Sequence, residues 1–579
     1  MEELNIEPSL QQPPAAPAPE QYPPLQLAPL ACASCRKQKR KCDKQLPTCG
    51  LCQRIGRSCD YSDDSRAVAP SPEEFSALRQ EVAELKNLLR SGGLTVSDGS
   101  TQSSNGNFGI HTSISSNNSP TAILPPPGQS SAWPGPSPFP SLFFLDSNAF
   151  EFERFQIQAP FVRVPPGALT ALGNSSELRQ MIERYFASVH TYFPIISKIR
   201  LYQHLSNPLH EPGSDIALLF LAMKLASGEL LEGMPPQTQL YQDVKSFYNY
   251  VEAQNGFSIQ MMQALLLISL YELGHSIYPA AYLSIGHAAR LGHAMGLHAR
   301  DVPQMLQRST TWTEQEERRR VWWAVVILDR FVNIGNRGKP FATSEPPLDT
   351  HLPTDDSSWD KGQMIVNAPL ALSASPTVRA APFARTCQAS HLLGKIIRHL
   401  NESQMPVEYK FEEALQLNRT TQALAGLLPA EAEEDDPVVR PTLCTPMAVC
   451  YSGLLTLYDA YSCAERAVPS GPETQLQMQK ESIEGLSTFS AAVLHFGRRV
   501  RNFLERGGLG QLSPLVIDCL YQAAANYAWY VRESSDPASR ERLAELKELL
   551  TICDRRWRVA GEYRSIIEAT EFALASAIR

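Results

Sequence analysis

Long apolar runs are missing from this chain of 579 residues. The best of them, MMQALLLISLY, falls short of the about 18 residues that a membrane-crossing helix needs, so no membrane partner is expected. P-loop, GxSxG, HExxH and GxGxxG patterns are absent as well. With them go the phosphate cradle, the nucleophile elbow, the zinc-protease helix and the dinucleotide turn, and the chain is not expected to be an enzyme. The stretch MEELNIEPSL carries acidic residues and no apolar run, so no secretory signal is expected and the thiols should stay reduced inside the cell. Histidine numbers only twelve. His287, His293 and His298 stand six and five apart, not at the i, i+4 spacing that pairs two imidazoles on one helical face, and they read as core or surface residues.

What the chain does have is cysteine and positive charge in one place. Six of its twelve cysteines fall within residues 32–59, as Cys32-x2-Cys35-x6-Cys42 and then, six residues on, Cys49-x2-Cys52-x6-Cys59. This is one unit repeated. Structural zinc takes four thiolate or imidazole ligands, and no histidine lies nearby. Two tetrahedral ions need eight bonds from six thiolates, so two sulfurs must each serve both ions. Cys32, Cys35, Cys42, Cys49, Cys52 and Cys59 are therefore the expected ligands of two Zn²⁺ per chain. The remaining six, Cys387, Cys444, Cys450, Cys463, Cys519 and Cys553, are scattered and read as small buried hydrophobes.

Between these thiols the charge is out of step with the rest of the chain. The formal net charge is −8, yet residues 32–60 hold eight lysines and arginines against Asp43 and Asp60. Six thiolates and two zincs would still leave the small module at about +4, and the remainder strongly acidic. Concentrated positive charge favours a polyanion, and DNA phosphates are the obvious one. The first six-residue loop, RKQKRK, carries five charges and the second, QRIGRS, only two. Arg36, Lys37, Lys39, Arg40 and Lys41 are thus the main expected DNA contacts, with Arg54 and Arg57 adding phosphate contacts. A metal-storage peptide needs no such asymmetric basic loop.

The whole cysteine spacing, the basic loop and Pro47 two residues before Cys49 resemble the fungal binuclear zinc cluster (Zn2Cys6) transcription factors. The resemblance implies that Cys32 and Cys49 are the bridging thiolates. It also implies that Lys39 reads a CGG-like triplet in the major groove while neighbouring basic residues hold phosphates. Gln38 stands where many members carry another basic residue.

Beyond Asp60 a linker (61–71) leads to SPEEFSALRQEVAELKNLLR, where Ser71, Pro72 and Glu74 suit a helix start. Phe75, Leu78, Val82, Leu85 and Leu89 are spaced 3, 4, 3, 4, which predicts a short dimerisation coiled coil over 72–90 and a homodimer on paired half-sites. Residues 1–31 and most of 91–174 are expected to be disordered. Within the latter, SPFPSLFFLDSNAFEFERF reads either as an acidic-aromatic activation segment or as a strap docked on the next domain. From 175 to 579 the pattern is helix after helix, a large all-α domain with a loose acidic loop at 431–437. Its stretches AYLSIGHAARLGHAMGLHARD and EQEERRRVWWAVVILDRFVNIGNRGKPF resemble the regulatory domain that follows the cluster in this family, with Gly338-Lys339-Pro340 in place of Gly-Arg-Pro. Arg318, Arg319 and Arg320 read as the start of a solvated helix with glutamate partners.

The expectation is a nuclear, zinc-dependent regulator of RNA polymerase II genes, binding double-stranded DNA and the transcription machinery or coactivators, in a metabolic or secondary-metabolite pathway. The alternative is a ligand-sensing or scaffold helical protein whose zinc module is vestigial. The intact six-cysteine register beside its basic loop separates the two.

Overall fold

The computed structural model describes residues 28, 30–37, 41–61, 141–152 and 162–577, the last range with gaps at 207–212, 300–301, 303, 307, 336–337, 365–369, 376, 436–443 and 464–472. The coiled coil expected at 72–90, with Phe75, Leu78, Val82, Leu85 and Leu89, lies outside the described residues. So do most of 1–31 and all of 91–140. The chain divides into two compact units, 1–121 and 122–579.

The first unit is too small for an apolar core, and its interior is sulfur. Two one-turn helices, α1 (Ala33–Lys37) and α2 (Gly50–Arg54), each follow directly on a cysteine, as the repeat requires. Cys32, Cys35, Cys49 and Cys52 are buried, with Cys42, Leu51, Cys59 and Tyr61 packed against them. The amide of Ala33 donates to the Asp60 carbonyl at 2.7 Å and that of Ala28 to the Lys44 carbonyl at 2.8 Å, which closes the unit on itself.

The second unit is helical. Among the described residues its extended chain makes only an isolated bridge between His351 and Ala371. Its principal helices are α3 (Ser175–Ala187), α4 (Ser214–Ser227), α5 (Gln239–Ala253), α6 (Ile259–Gly274), α7 (Ala280–Ala294), α8 (Trp312–Phe331), α9 (Pro382–Asn401), α10 (Val407–Asp435), α11 (Cys444–Tyr461), α12 (Glu473–Glu505), α13 (Ile517–Ser534), α14 (Pro537–Asp554) and α15 (Val559–Ala577). Burial follows composition. Helix α4 buries all but two residues and α6 all but Gln260, because both are apolar on every face and can only sit centrally. From α6 to α15 most helices pack on the next in sequence. Their starts are set locally: Asn174 and Glu177 form a capping box on α3, and Thr238, Ser258 and Thr311 cap α5, α6 and α8.

Three expectations are corrected here. Helical packing begins before residue 175. A helix at Pro166–Leu172, with Pro166 at its first position, lays Ala168 and Leu172 in the same core, and Lys224 of α4 donates to the Ala171 carbonyl at 2.6 Å. The acidic stretch read as a loop starts inside α10, which runs past Pro429 to Asp435, since Glu and Ala are good helix formers. Arg320 is not solvated. It is fully buried, with Nε on Glu316, Nη1 on Asp356, Nη2 on the Thr354 carbonyl and its plane 4.1 Å from the Trp359 ring. Burial works against its charge, and Asp356 and Glu316 outweigh that.

Of the scattered cysteines, Cys387, Cys450, Cys519 and Cys553 are buried, Cys444 is half-buried and Cys463 is exposed. His293 and His298 meet edge to face at 4.6 Å beside Trp322, and His287 contacts Tyr248 and Glu252.

The last helices return to the middle of the unit. Arg556 is fully buried and donates to the carbonyls of Ala226 (2.6 Å) and Gly228 (3.2 Å), so it caps the C-terminal end of α4. Arg558 donates to the Leu231 carbonyl at 3.0 Å. Trp557 lies flat on Gly274, where a Cβ would stand 2.3 Å from the indole, and donates to the Leu512 carbonyl at 2.7 Å. Only glycine lets α6 and this indole come so close.

Candidate metal centre

The two halves of the first unit build the same local device. In each, the amide three residues on donates to the first sulfur: Cys35 to Cys32 and Cys52 to Cys49, both at 3.4 Å. The Cys49 amide donates in turn to the Cys59 sulfur at 3.3 Å. An N–H aimed at sulfur favours the thiolate. The Cys52 amide pulls the Cys49 thiol down to about 6. At Cys32, burial raises the thiol, but the Cys35 amide and neighbouring thiols outweigh it and the net shift is downward. Burial pushes Cys52 up to about 12, and Cys35 and Cys59 upward as well.

The six sulfurs fall into two groups of four. Cys32, Cys49, Cys52 and Cys59 have their ligand atoms within 4.8 Å of one another, and so do Cys32, Cys35, Cys42 and Cys49. Cys32 and Cys49 belong to both. Within the groups, sulfur separations are 3.8 Å (Cys32–Cys49), 3.7 Å (Cys32–Cys52) and 3.7 Å (Cys35–Cys49). Zinc–sulfur bonds of about 2.3 Å in a tetrahedron put sulfurs about 3.8 Å apart, so these donors fit zinc with the side chains already in place. The two thiols held down are the two shared between groups.

Three supports were not legible beforehand. The Asp43 carboxylate accepts from the Gly50 amide at 3.0 and 3.1 Å and anchors the start of α2. The Tyr61 hydroxyl donates to the Gln45 carbonyl at 2.9 Å and lies 3.9 Å from the Cys42 sulfur. The Ser34 hydroxyl donates to the Ser58 carbonyl at 3.0 Å, tying the halves together. A Cys-x6-Cys count carries no signal for these, because each contact spans seven to 24 residues.

The basic residues divide by what can be described. Arg36 and Lys37 form the end of α1, and Lys41 is exposed at the start of the following loop. Arg54 ends α2, exposed, with Nε on the Gly50 carbonyl at 3.2 Å, and Arg57 is exposed after Gly56. Lys39 and Arg40 lie outside the described residues.

Comparison with known proteins bears on both units. Residues 30–67 match the fungal Zn(2)-Cys(6) binuclear cluster domain and residues 182–429 the fungal specific transcription factor domain. The chain is 36% identical over 178 residues to the transcription factor BOA15 of Botryotinia fuckeliana, covering 31% of this chain and 98% of that protein. It is 25% identical over 403 residues to the transcription factor tazR of Aspergillus terreus, covering 57% and 62%. It is 27% identical over 385 residues to the citrinin biosynthesis transcriptional activator mrl3 of Monascus ruber, covering 64% and 73%. No helix among the described residues is long and apolar enough to cross a membrane.

Proposed function

The chain belongs to the fungal Zn2Cys6 transcription factors, and from that premise we propose that it is a nuclear, sequence-specific DNA-binding regulator of a secondary-metabolite gene cluster, working with two zincs per chain. The observation that carries this is the pair of sulfur tetrads sharing Cys32 and Cys49. Zinc, when bound, supplies the folding energy that a sulfur-centred module lacks. The chain's own residues do the rest. Cys32, Cys35, Cys42, Cys49, Cys52 and Cys59 hold the ions. Shared by both groups, Cys32 and Cys49 would let six side chains hold two ions and keep the negative charge low enough for the basic loop to dominate. Lys39 reads a CGG-like triplet from the major groove, while Arg36, Lys37, Arg40, Lys41, Arg54 and Arg57 hold phosphates and fix the register.

Residues 72–90 pair two chains through Phe75, Leu78, Val82, Leu85 and Leu89, and the linker 61–71 sets the separation of the half-sites. The helical unit regulates output and contacts coactivators. That pathway-specific activators such as mrl3 are among its relatives supports the biosynthetic assignment.

The test is metal analysis and DNA selection on the full-length protein. Two zincs and enrichment of paired CGG-like triplets is the expected result. Two zincs with single triplets removes the dimer, and two zincs with no sequence preference overturns the DNA-reading function.

A further inference from the structure

Residues 142–152 form two short helical turns with a divided face. Phe143 and Phe150 are buried, ring to ring at 5.2 Å and edge to face, and belong to the core of the helical unit. The Asp146 carboxylate accepts from the Ala149 amide at 2.9 Å and so starts the second turn. Leu145 and Phe152 point the other way. At 82% and 83% exposure they are the two most exposed large apolar side chains among the described residues. A chain that can bury Phe143 and Phe150 gains nothing in its own fold by holding these two in water.

Along the described stretch 141–152 the charge has one sign. Asp146 and Glu151 are exposed beside them, and no lysine or arginine occurs between residues 141 and 153. We infer that Leu145 and Phe152, flanked by Asp146 and Glu151, are a preformed docking face for a coactivator protein whose apolar cleft is rimmed by lysine and arginine. Its apolar part supplies affinity, and its carboxylates select a basic rim over an acidic or neutral one. The two anchoring phenylalanines hold the face ordered before the partner arrives, so less ordering entropy is lost on docking. This inference rests on the chain being a transcription regulator.

The experiment uses the full-length protein and a reporter promoter carrying its selected DNA sites in a fungal host. Leu145→Ala with Phe152→Ala should leave zinc content, DNA occupancy and thermal midpoint unchanged. Reporter output should fall about tenfold for each truncated side chain. Glu151→Lys should lower output in the same direction. Output unchanged at equal DNA occupancy overturns the docking face. A lowered thermal midpoint or a changed oligomeric state in the double variant also overturns it, because the face is then covered by this chain or by a second copy. A wild type that occupies its sites without raising output overturns the coactivator but leaves DNA binding intact. A wild type that selects no DNA overturns the underlying regulator reading, and it is told apart by the selection step alone.

Discussion

Replacing Cys49 by alanine should do about twice the damage of replacing Cys42. Cys49 belongs to both sulfur tetrads, whereas Cys42 belongs to one. Structural zinc binding is worth about 10–16 kcal/mol, or about 3 kcal/mol for each of four sulfurs. Cys42→Ala should therefore weaken one site by about 3 kcal/mol, roughly a hundredfold, and leave the other intact. Cys49→Ala should weaken both, for a total of about 6 kcal/mol. The assay is competition of the full-length protein against a zinc chelator, with metal per chain read at each chelator concentration. Cys42→Ala should give two separated release steps and Cys49→Ala one early step carrying both ions. A Cys49→Ala chain that keeps one zinc at wild-type affinity would refute the sharing of sulfur between tetrads.

Arg320→Ala should cost about 3 kcal/mol, since buried Glu316 keeps only Arg319 as a guanidinium partner and Asp356 loses its own, and urea unfolding measures the loss. Arg320→Met with Glu316→Gln should lose clearly less than the two single changes added together. Lys39→Ala should abolish preference for the CGG-like triplet in DNA selection. Arg54→Ala and Arg57→Ala should weaken all sequences alike, each flattening the slope of log affinity against log salt by about 1 in anisotropy titrations. Buried His275 lies between Tyr271 and Trp557, and burial, with Arg556 and Arg558 adding to it, pushes its ring down to about 3. Between that value and 6.5 the unfolded chain binds the extra proton, so stability is full above pH 6.5 and falls below it by about 1.4 kcal/mol per pH unit. Urea unfolding at pH 7 and pH 5 should show this loss in the wild type and its absence in His275→Gln.

How much could be read from the sequence depended on the range of the contact. The cysteine register was legible because metal ligation is counted along the chain, and the tetrads involve the six cysteines the spacing singled out. The run of helices was legible from apolar residues at helical spacing, but which of them sit centrally came only with the structure, where α4 and α6 are buried almost throughout. Arg320 was misread for a related reason. Three arginines following glutamates look like surface i, i+4 pairs, and nothing local reveals that Asp356, 36 residues away, closes over one of them. Tyr61 and Asp43 were hidden likewise: their roles exist only once the two halves have met.

Arg556 reaches back 330 residues to the carbonyl of Ala226. In terms of synthesis, the ribosome makes α4 and α6 long before it makes the side chains that finish them. During that interval the end of α4 is uncapped and Gly274 faces an empty slot where an indole belongs. The helical unit thus completes itself only after residue 558 has emerged. A message cut short anywhere between the zinc module and that point yields a chain that still carries the thiols and the basic loop but not a finished helical unit. The fold thereby ties a finished helical unit to translation having run through residue 558.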